Sequence, residues 1–452
     1  MEKKKHIMAP GIRELLEKGK YSEITDIIKE LFSPDIAELL QSLEHEEIVE
    51  IVKIIPRENF PEIFSYLLGE YQILILQDLT TGRLKNILDE MPPDERADLF
   101  LKITPDLKKQ LLSVMSEKEK KDVEELIQYR ENTAGALMTT DFAKVPPQIT
   151  VEEATSILRK TALKRETIYY IYVTTDNDKL LGVFSLKDLI LASESKIITE
   201  IMNDHFIKVN LEDDQEEVAT VFKKYDLLAL PVVDTYGNIH GIITVDDIVD
   251  VIEKEDTEDF HKMAAIETIE DEYLKTPFSV VARKRIGWLL LLLVTYTVST
   301  QLLKHYSYAL ESVMALVFFI PMLSGSAGNA GTQSATLITR GLATGEIKFK
   351  QTFQIMKREI CMGITLGIIL GCLGFMRAYF MHTNPMLGLT IGSSLALVIT
   401  IATFIGGLLP IFLSKVGIDP AISAGPFLTT ILDITSIVIY FQVAKMLLGL
   451  AQ

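Results

Sequence analysis

The chain has 452 residues, a formal net charge of −17 and only two cysteines. The nine basic and five acidic residues after Arg285 give its last part a charge of +4, which leaves −21 for residues 1–285. The strong negative charge of this first part argues against a nucleic-acid partner and for cations. Cys361 and Cys372 lie in one apolar segment, where a helix would hold them too far apart for a disulfide.

Residues 1–130 are predicted to form an acidic, all-α superhelical domain. Helix-start signals with proline in the first turn occur at 33–35, 56–58, 91–94 and 104–106, and apolar residues follow at helical spacing, as in Ile36, Leu39 and Leu40. Successive short helices of this kind are typical of a small solenoid. The first residues hold no apolar run, so we expect residues 1–285 to remain in the cytoplasm.

A repeat occupies residues 131–255, with halves at 131–199 and 200–255. Met138-Thr-Thr-Asp-Phe-Ala-Lys-Val aligns with Met202-Asn-Asp-His-Phe-Ile-Lys-Val, and Gly182-Val-Phe-Ser-Leu-Lys-Asp aligns with Gly241-Ile-Ile-Thr-Val-Asp-Asp. Each half shows a helix, a β-branched strand, a turn, a second strand and a helix. The pattern resembles a tandem pair of CBS domains, an α/β pair with pseudo-twofold symmetry that often binds adenine nucleotides.

Each half carries a hydroxyl and a carboxylate at a strand-to-helix junction. In the CBS pattern, Gly-x-x-Ser/Thr-x-x-Asp is the nucleotide signature, and the resemblance assigns it to Ser185 with Asp188 and to Thr244 with Asp247. An anion would also meet the helix amino end there. The same residues are good helix caps. Both interpretations, a site for ATP or a related nucleotide and a pair of caps, stay open at this point.

An acidic run leads into a connecting helix predicted at 256–282. Carboxylates at three- and four-residue spacing repel each other by a few tenths of a kcal/mol per pair, a cost that a divalent cation between them and an acidic partner domain would reduce. Oxygen ligands without a His or Cys cluster suit Mg²⁺ or Ca²⁺ better than zinc. An exposed linker helix is the alternative. The run contains Asp246, Asp247, Asp250, Glu253, Glu255, Glu258 and Asp259.

Residues 283–452 are predicted to form a transmembrane domain of five helices. Basic residues precede the first segment and lie between the second and third and between the fourth and fifth, which predicts a cytoplasmic amino terminus and a carboxyl terminus outside the cell membrane. The apolar segments run near Ile286–Leu303, Ser312–Ile338, Ile360–Phe380, Leu387–Leu413 and Ala421–Leu448.

The second of these segments is unusually polar. Asn329, Gln333 and Thr336 fall on one helix face, while Gly328 and Gly331 permit close backbone approach. An amide and hydroxyl stripe favours a pore lining, where carbonyl oxygens could also replace a cation's hydration shell. A tight packing seam of small residues is the alternative.

Asp433 lies inside the last apolar segment. A charged carboxylate at the bilayer centre costs on the order of 2.5–3.5 kcal/mol, so such residues usually face a cavity or pathway. Thr429, Thr430 and Ser436 share its helix face. We interpret Asp433 as a cation ligand in a pathway; a packing aspartate satisfied by a neighbouring hydroxyl is the alternative.

Several long motifs resemble those of the MgtE family of magnesium transporters and channels, over essentially the whole chain. They include Thr133-Ala-Gly-Ala-Leu-Met-Thr-Thr, Gly328-Asn-Ala-Gly-Thr-Gln-Ser-Ala-Thr and Gly425-Pro-Phe-Leu-Thr-Thr with Asp433. The resemblance implies a homodimer whose pore lies between the second and fifth membrane helices, with Asp433 anchoring a largely hydrated Mg²⁺. It further implies that cytosolic Mg²⁺ holds the pore shut and that ATP modulates this inhibition.

The resemblance also implies which residues bind Mg²⁺. Asp433 is assigned to the pore, with Asn329 as a weaker pore-lining candidate. The predicted function is influx of Mg²⁺ driven by the membrane potential, and the rival is a CBS-regulated transporter of Mn²⁺, Co²⁺ or Ni²⁺. An intramembrane protease would need paired catalytic groups, which the sequence does not offer. The regulatory residues are Asp94 and Asp98 in the first domain and Asp247, Asp250, Glu255, Glu258 and Asp259 near the connecting helix.

Overall fold

The computed structural model describes residues 2–162, 165–269, 273–274 and 276–450, and the chain divides into two compact units, Met1–Val251 and Ile252–Gln452. The first unit begins with short helices that stack in two rows, since α3 packs on α5, α5 on α7 and α7 on α9, while α4 packs on α6. This is the predicted all-α superhelical arrangement. The helices are α1 Glu2–Glu17, α2 Tyr21–Lys29, α3 Ser33–Gln41, α4 His45–Ile54, α5 Phe60–Ser65, α6 Gly69–Asp78, α7 Thr81–Glu90, α8 Pro93–Lys102, α9 Pro105–Val114 and α10 Glu117–Leu126.

Proline in the first turn marks α3, α8 and α9 at the predicted places. Proline is favoured there because its missing N–H has no partner in a helix anyway. The signal at Pro56 was wrong by several residues: Pro56 precedes a turn, and α5 begins at Phe60 with Pro61 in its first turn. The apolar stripes of these helices meet in one core, which includes Ile48 and Phe64.

The tandem repeat forms two small three-stranded sheets. Their strand orders are β1-β2-β3 and β4-β5-β6, with the first pair parallel and the second antiparallel in each. The sheets confirm the predicted α/β CBS pair. The elements are α11 Ala134–Leu137, β1 Phe142–Val145, α12 Val151–Thr161, β2 Thr167–Thr174, β3 Leu180–Ser185, α13 Leu186–Leu191, β4 Val209–Asn210, α14 Gln215–Tyr225, β5 Ala229–Val233, β6 Ile239–Thr244 and α15 Val245–Met263.

The segment that begins each repeat forms backbone hydrogen bonds with a strand of the other repeat. The N–H of Thr139 donates to the carbonyl oxygen of Ile242 at 2.8 Å, and the N–H of Asn203 donates to that of Val183 at 2.8 Å. A side chain at Gly241 would lie 2.6 Å from the oxygen of Thr139, so only glycine fits this crossing. Reciprocal bonds of this kind give the pair its pseudo-twofold symmetry.

Helix α15 carries the acidic run and ends at Met263. The predicted connecting helix at 256–282 is therefore interrupted: residues 266–269 are not helical, the next helix begins at Phe278, and residues 270–272 and 275 of the segment lie outside the described residues. The helix ends with Ala265 in the left-handed conformation, at a φ of 53°, and the N–H of Ile266 donates to the carbonyl oxygen of His261 at 2.9 Å, a common way of closing the last turn of a helix.

Within the described residues of the second unit, five stretches are long and apolar enough to cross a membrane. Their number agrees with the sequence prediction, although most extend further at their ends. They are Phe278–His305, Met314–Ala343, Phe349–His382, Pro385–Lys415 and Pro426–Leu448. The helices in them are α16 Phe278–His305, α18 Ile320–Ala343, α19 Thr352–His382, α20 Pro385–Lys415 and α21 Pro426–Leu448, and the short helix α17 is Ser307–Ser312.

Glycines bring the membrane helices into backbone contact. A Cβ atom at Gly367 of α19 would lie 2.5 Å from the oxygen of Ala396 in α20, and one at Gly371 would lie 2.6 Å from the oxygen of Gly392. In lipid no hydrophobic effect drives helices together. Small residues let two backbones approach closely, and van der Waals packing then stabilises the contact. These glycines of α19 thus have a packing role against α20.

We expect Gly406→Ala to destabilise the membrane unit by on the order of 3 kcal/mol, because the new methyl group would overlap the carbonyl oxygen of Gly331, which is fixed in α18. The measurement is the melting temperature of the purified protein in detergent. Gly325→Ala is the matched control, since a Cβ at Gly325 meets no described atom within 4 Å. Equal melting temperatures for the two variants would contradict this packing.

Candidate metal sites and ion pathway

Carboxylates from three elements meet in the first unit. Asp94 and Glu95 lie in the first turn of α8, Glu166 immediately precedes β2, and Asp246 and Asp247 lie in the first turn of α15. Asp247 raises the pKa of Asp94, Glu95 and Glu166, in each case after burial as the larger cause. We call these five residues the acidic cluster.

Burial is the main reason that the pKa values of Asp94, Glu95, Glu166 and Asp247 are raised. It raises the pKa of Glu166 to about 7 and that of Asp247 to about 6, with further increases from neighbouring carboxylates. It also raises the pKa of Asp94 well above the ordinary range. A charged carboxylate is disfavoured in low dielectric and beside like charges. The cluster is therefore an unfavourable arrangement unless protons or cations occupy it.

The predicted sensor residues Asp98 and Asp250 lie at the edge of this cluster. Asp98 raises the pKa of Glu95, and Asp250 raises that of Asp247. Sequence reasoning did not assign Glu95 and Glu166 to the sensor. Glu95 could have been found from its place between Asp94 and Asp98, whereas nothing in the local sequence around Glu166 marks it.

The carboxylate oxygens of the cluster are ligands that suit a hard cation. Among the described residues, no hydrogen-bond donor reaches Oδ1 of Asp94 or Oε2 of Glu95, although both atoms are buried. An unsatisfied buried oxygen is costly, and a cation would satisfy it. No three acidic, histidine or cysteine side chains converge into a metal-holding group in the described ranges.

The pKa values predict how pH acts on this cluster when Mg²⁺ is absent. The folded pKa values of Asp247 and Glu166, about 6 and about 7, exceed the ordinary 3.8 and 4.5, so the packed state binds protons more tightly. Stability from this source is present at low pH and is lost as the pH rises through 6 and 7. We expect α8 to be more protected from hydrogen exchange at pH 5.5 than at pH 7.5, after correction for the intrinsic exchange rate.

Protonation removes repulsion without forming a bridge, so added Mg²⁺ should protect α8 at pH 7.5 more strongly than acid does. The Asp247→Asn, Glu166→Gln double variant is the control, and its protection should depend much less on pH. Equal protection of wild-type α8 at both pH values without Mg²⁺ would contradict the prediction.

The later acidic residues of α15 form a separate group in the second unit. Burial raises the pKa of Asp259 to about 6, Asp419 contributes to the rise, and Lys262 opposes it. The Nζ of Lys262 donates to Oδ2 of Asp419 at 2.6 Å and also to Glu258, one turn earlier. Glu255 adds to the rise at Asp259. Glu258 is thus already paired with a cation of the chain itself.

In the second unit, Asp433 lies where α21 packs on α18. Its Oδ1 accepts a hydrogen bond from Ser324 of α18, and the side chain is half-buried. One turn earlier, Thr429 is 3.5 Å from the position that a Cβ at Gly328 would take. These are the second and fifth spans, which were predicted to form the pore. The Ser324 hydroxyl is also the partner that the alternative, a packing aspartate, calls for.

The two faces of α18 differ: one packs against neighbouring helices, and for the other the pore lining stays a prediction. Gly331 packs against α20 and α21, with the oxygen of Ala402 3.2 Å from its Cβ position. Asn329 and Gln333 are exposed on the outer side of a single copy of the chain. The glycine face is a packing seam, and the amide face is free to line a pathway.

A second carboxylate of the membrane unit was missed by the sequence analysis. The predicted third span begins at Ile360, just after Glu359. In the structure α19 begins at Thr352, so Glu359 lies two turns inside the helix. It accepts a hydrogen bond from Ser334 of α18. A Cβ at Gly407 of α20 would lie 2.8 Å from Cγ of Glu359, so the glycine makes room for it. The basic residues Lys357 and Arg358 before it concealed the true start of the helix.

The predicted nucleotide residues bond to each other at the starts of α13 and α15. Ser185 Oγ donates to Asp188 Oδ2 at 2.6 Å, and the N–H of Asp188 donates to Ser185 Oγ at 3.1 Å. Thr244 Oγ1 donates to Asp247 Oδ2 at 2.7 Å. Ser185 thus caps α13, whereas the bond shown at Thr244 joins two side chains, and Asp247 belongs in addition to the acidic cluster.

Together, five membrane helices with a carboxylate on a polar seam and an acidic CBS-containing part define a multi-pass membrane transporter for cations. A family model described as a divalent cation transporter matches residues 320–443, one described as the MgtE intracellular N domain matches 31–132, and the CBS domain model matches 134–195 and 198–254.

Full-length relatives agree with these matches. The chain is 36% identical over 413 residues to the magnesium transporter MgtE of Thermus thermophilus, covering 85% of this chain and 92% of the relative. It is 36% identical to the protein of that name from Bacillus subtilis, covering 83% of each, and 38% identical to that from Enterococcus faecalis, covering 72% and 71%. The chain belongs to the MgtE family.

Two solved structures resemble the soluble part. One is the cytosolic domain of the Mg²⁺ channel MgtE in complex with ATP, with 36% identity, a TM-score of 0.51 and coverage of 54% of this chain and 99% of that one. The other is the soluble part of a magnesium transporter, with 32% identity, a TM-score of 0.51 and coverage of 56% and 99%.

Proposed function

We propose that this chain is a Mg²⁺ channel or transporter that mediates influx driven by the membrane potential and is closed by cytosolic Mg²⁺. The observation that carries the transport proposal is the half-buried carboxylate of Asp433 against the polar helix α18, inside the membrane unit. Its full-length relatives are named magnesium transporters, which supports the choice of ion.

The membrane potential is a sufficient energy source for entry. A dication that crosses 100 mV, negative inside, gains roughly 4.6 kcal/mol, twice the value for a single charge. Uptake on this scheme needs no ATP hydrolysis. Asp433 would hold the ion through its hydration shell, since Mg²⁺ gives up its waters reluctantly.

Closure is proposed to follow from the acidic cluster. Without Mg²⁺ the carboxylates of α8, α15 and the start of β2 repel each other, and with Mg²⁺ between them their close packing is favoured. Because α15 also carries Glu255, Glu258 and Asp259, a change at the cluster would act on a helix whose second half belongs to the second unit. Mg²⁺ then biases a two-state element by binding one state better than the other.

Adenine nucleotide is proposed as a modulator bound by the CBS pair at Ser185, Asp188 and Thr244. Support comes from a similar cytosolic domain whose structure was solved with ATP. The hydroxyl and carboxylate oxygens that bond to each other at these helix starts would then have to bond to the ribose as well. Addition of ATP should therefore change the Mg²⁺ concentration at which the wild-type protein closes, and Ser185→Ala with Asp188→Asn should remove that change.

A homodimer is proposed because of the exposed amides on α18. Asn329 and Gln333 would face hydrocarbon in a single copy, which is expensive for an amide without partners. A second copy that places the same faces around a water-filled path satisfies them. The proposed orientation keeps the amino terminus in the cytoplasm and the carboxyl terminus outside.

The test is flux into liposomes that contain the purified full-length protein, measured against the Mg²⁺ concentration on the cytosolic side. We expect Mg²⁺ entry that grows with the potential and falls as cytosolic Mg²⁺ rises. The same assay with Mn²⁺, Co²⁺ or Ni²⁺ examines the rival function. Faster entry of one of these ions, with closure governed by it, would reject Mg²⁺ as the main substrate.

A further inference from the structure

One face of α19 points away from the other described helices of its unit and carries a lysine near the start of the helix. The residues of this face recur at three- and four-residue steps. Each of them is exposed: Phe353, Lys357, Ile360, Ile364 and Ile368. The three isoleucines belong to residues 360–376, which hold no charge, so this face meets the hydrocarbon of the bilayer.

The length of α19 places Lys357 at the level of the lipid headgroups. Lys357 and Arg377, which is exposed near the other end of the helix, are twenty residues apart. At 1.5 Å per residue they are separated by roughly 30 Å, the thickness of the hydrocarbon core. Tyr379, close to Arg377, is 42% exposed and is of the type that marks an interface. Phe353 lies about 6 Å beyond Lys357, outside the hydrocarbon.

Two further lysines precede the helix. Lys348 and Lys350 flank Phe349 in the turn that leads into α19, and all three side chains are exposed. In the part of the chain that the structure describes, Lys348, Lys350 and Lys357 form no ion pair, and neither does the nearby Glu346. Three unpaired cations in one short segment repel each other and attract an anion.

The aromatic residues among these lysines indicate which kind of anion fits. Phe349 is 51% exposed and Phe353 is 81% exposed. Water around a phenyl ring is unfavourable, whereas the boundary between headgroups and acyl chains accepts apolar side chains beside lysines. A soluble anion would leave both rings in water. An anionic phospholipid supplies a phosphate for the lysines and apolar surface for the rings at the same depth.

We propose that Lys348, Lys350 and Lys357 bind the headgroup of an anionic phospholipid, while Phe349 and Phe353 insert among the neighbouring lipids. In the proposed orientation this lipid belongs to the cytoplasmic leaflet. The inference goes beyond the transport function and does not depend on it, since it requires only that α19 spans the bilayer. It assigns a lipid partner to the segment between the second and third spans.

The test measures lipid preference beside the lysines in the full-length protein. Trp288→Phe combined with Ile360→Trp places the single tryptophan of the chain on this face, about one turn inside Lys357. The protein is reconstituted with phosphatidylglycerol or phosphatidylcholine whose acyl chains are brominated, because bromine quenches a tryptophan that it contacts. We expect phosphatidylglycerol to bind about fivefold or more tightly than phosphatidylcholine. Replacing the three lysines by glutamine should bring this ratio close to one.

Lys304→Gln in the same reporter protein is the matched control, because Lys304 is an exposed lysine near the end of α16, and the ratio should not change. Equal quenching by the two lipids, or a preference that survives replacement of the three lysines, would overturn the proposal. Absence of quenching by either lipid would overturn it as well and indicate that a second copy covers this face. Displacement of the brominated lipid by millimolar inorganic phosphate would identify a site for soluble anions instead.

Discussion

Replacing Asp433 by asparagine is expected to abolish Mg²⁺ uptake while the protein still folds. A dication about 5 Å from a carboxylate interacts with it by roughly 6 kcal/mol at an effective dielectric constant of 20, part of which offsets the loss of bulk water. Loss of half of that attraction would lower the ion occupancy by more than about a hundredfold. The measurement is initial Mg²⁺ flux into liposomes at fixed potential.

Two variants separate a pore carboxylate from a packing aspartate. Ser324→Ala removes the hydroxyl that donates to Asp433 and should retain most of the flux if the carboxylate serves the ion. Glu359→Gln changes the other membrane carboxylate that bonds to a serine of α18, and it should also retain flux. Normal uptake by Asp433→Asn would exclude its role in the pore. Equal loss in Ser324→Ala and Asp433→Asn, with lowered melting temperatures, would favour packing.

The membrane fold could be predicted well from the sequence because each span had to be apolar over its whole length. Asp433 could be identified from the sequence because a carboxylate deep in an apolar segment usually faces a cavity or pathway. Glu359 was not, because Lys357 and Arg358 beside it made the end of the helix look like a loop. Which face of α18 meets α20 was also out of reach, since Gly331 and its partner Gly406 lie in separate spans and no local pattern links them.

In the first unit, local signals found the elements but not how they meet. The proline starts and the repeat were sufficient to predict short helices and a CBS pair. The acidic cluster depends on tertiary structure: Asp94, Glu166 and Asp247 come from a helix, a strand edge and a second helix that are distant in sequence. The connecting helix was predicted too long because its end is set by the left-handed backbone of Ala265, a conformation that the sequence does not signal at an alanine.

Replacing both Asp94 and Asp247 by asparagine is expected to leave Mg²⁺ uptake intact and to weaken its inhibition by cytosolic Mg²⁺. The neutral amides abolish the repulsion that separates α8 from α15, and they also abolish the oxygens that a cation would bridge. The variant should therefore close only at higher Mg²⁺ concentrations, because the closed state has lost the oxygens that bind the cation. The midpoint of inhibition should move by about tenfold or more, which corresponds to at least ~1.4 kcal/mol of lost coupling.

Asp106→Asn is the matched control for this pair. Asp106 follows a proline in the first turn of α9, as Asp94 follows Pro93 in α8, but its side chain is exposed and lies outside the acidic cluster. Its replacement should leave the inhibition curve where it is, because a solvated carboxylate that gains no partner on closure adds nothing to the difference between the two states. If the double variant closed at the wild-type Mg²⁺ concentration, the cluster would have no part in sensing, and the group around Asp259 would be the remaining candidate for the sensor.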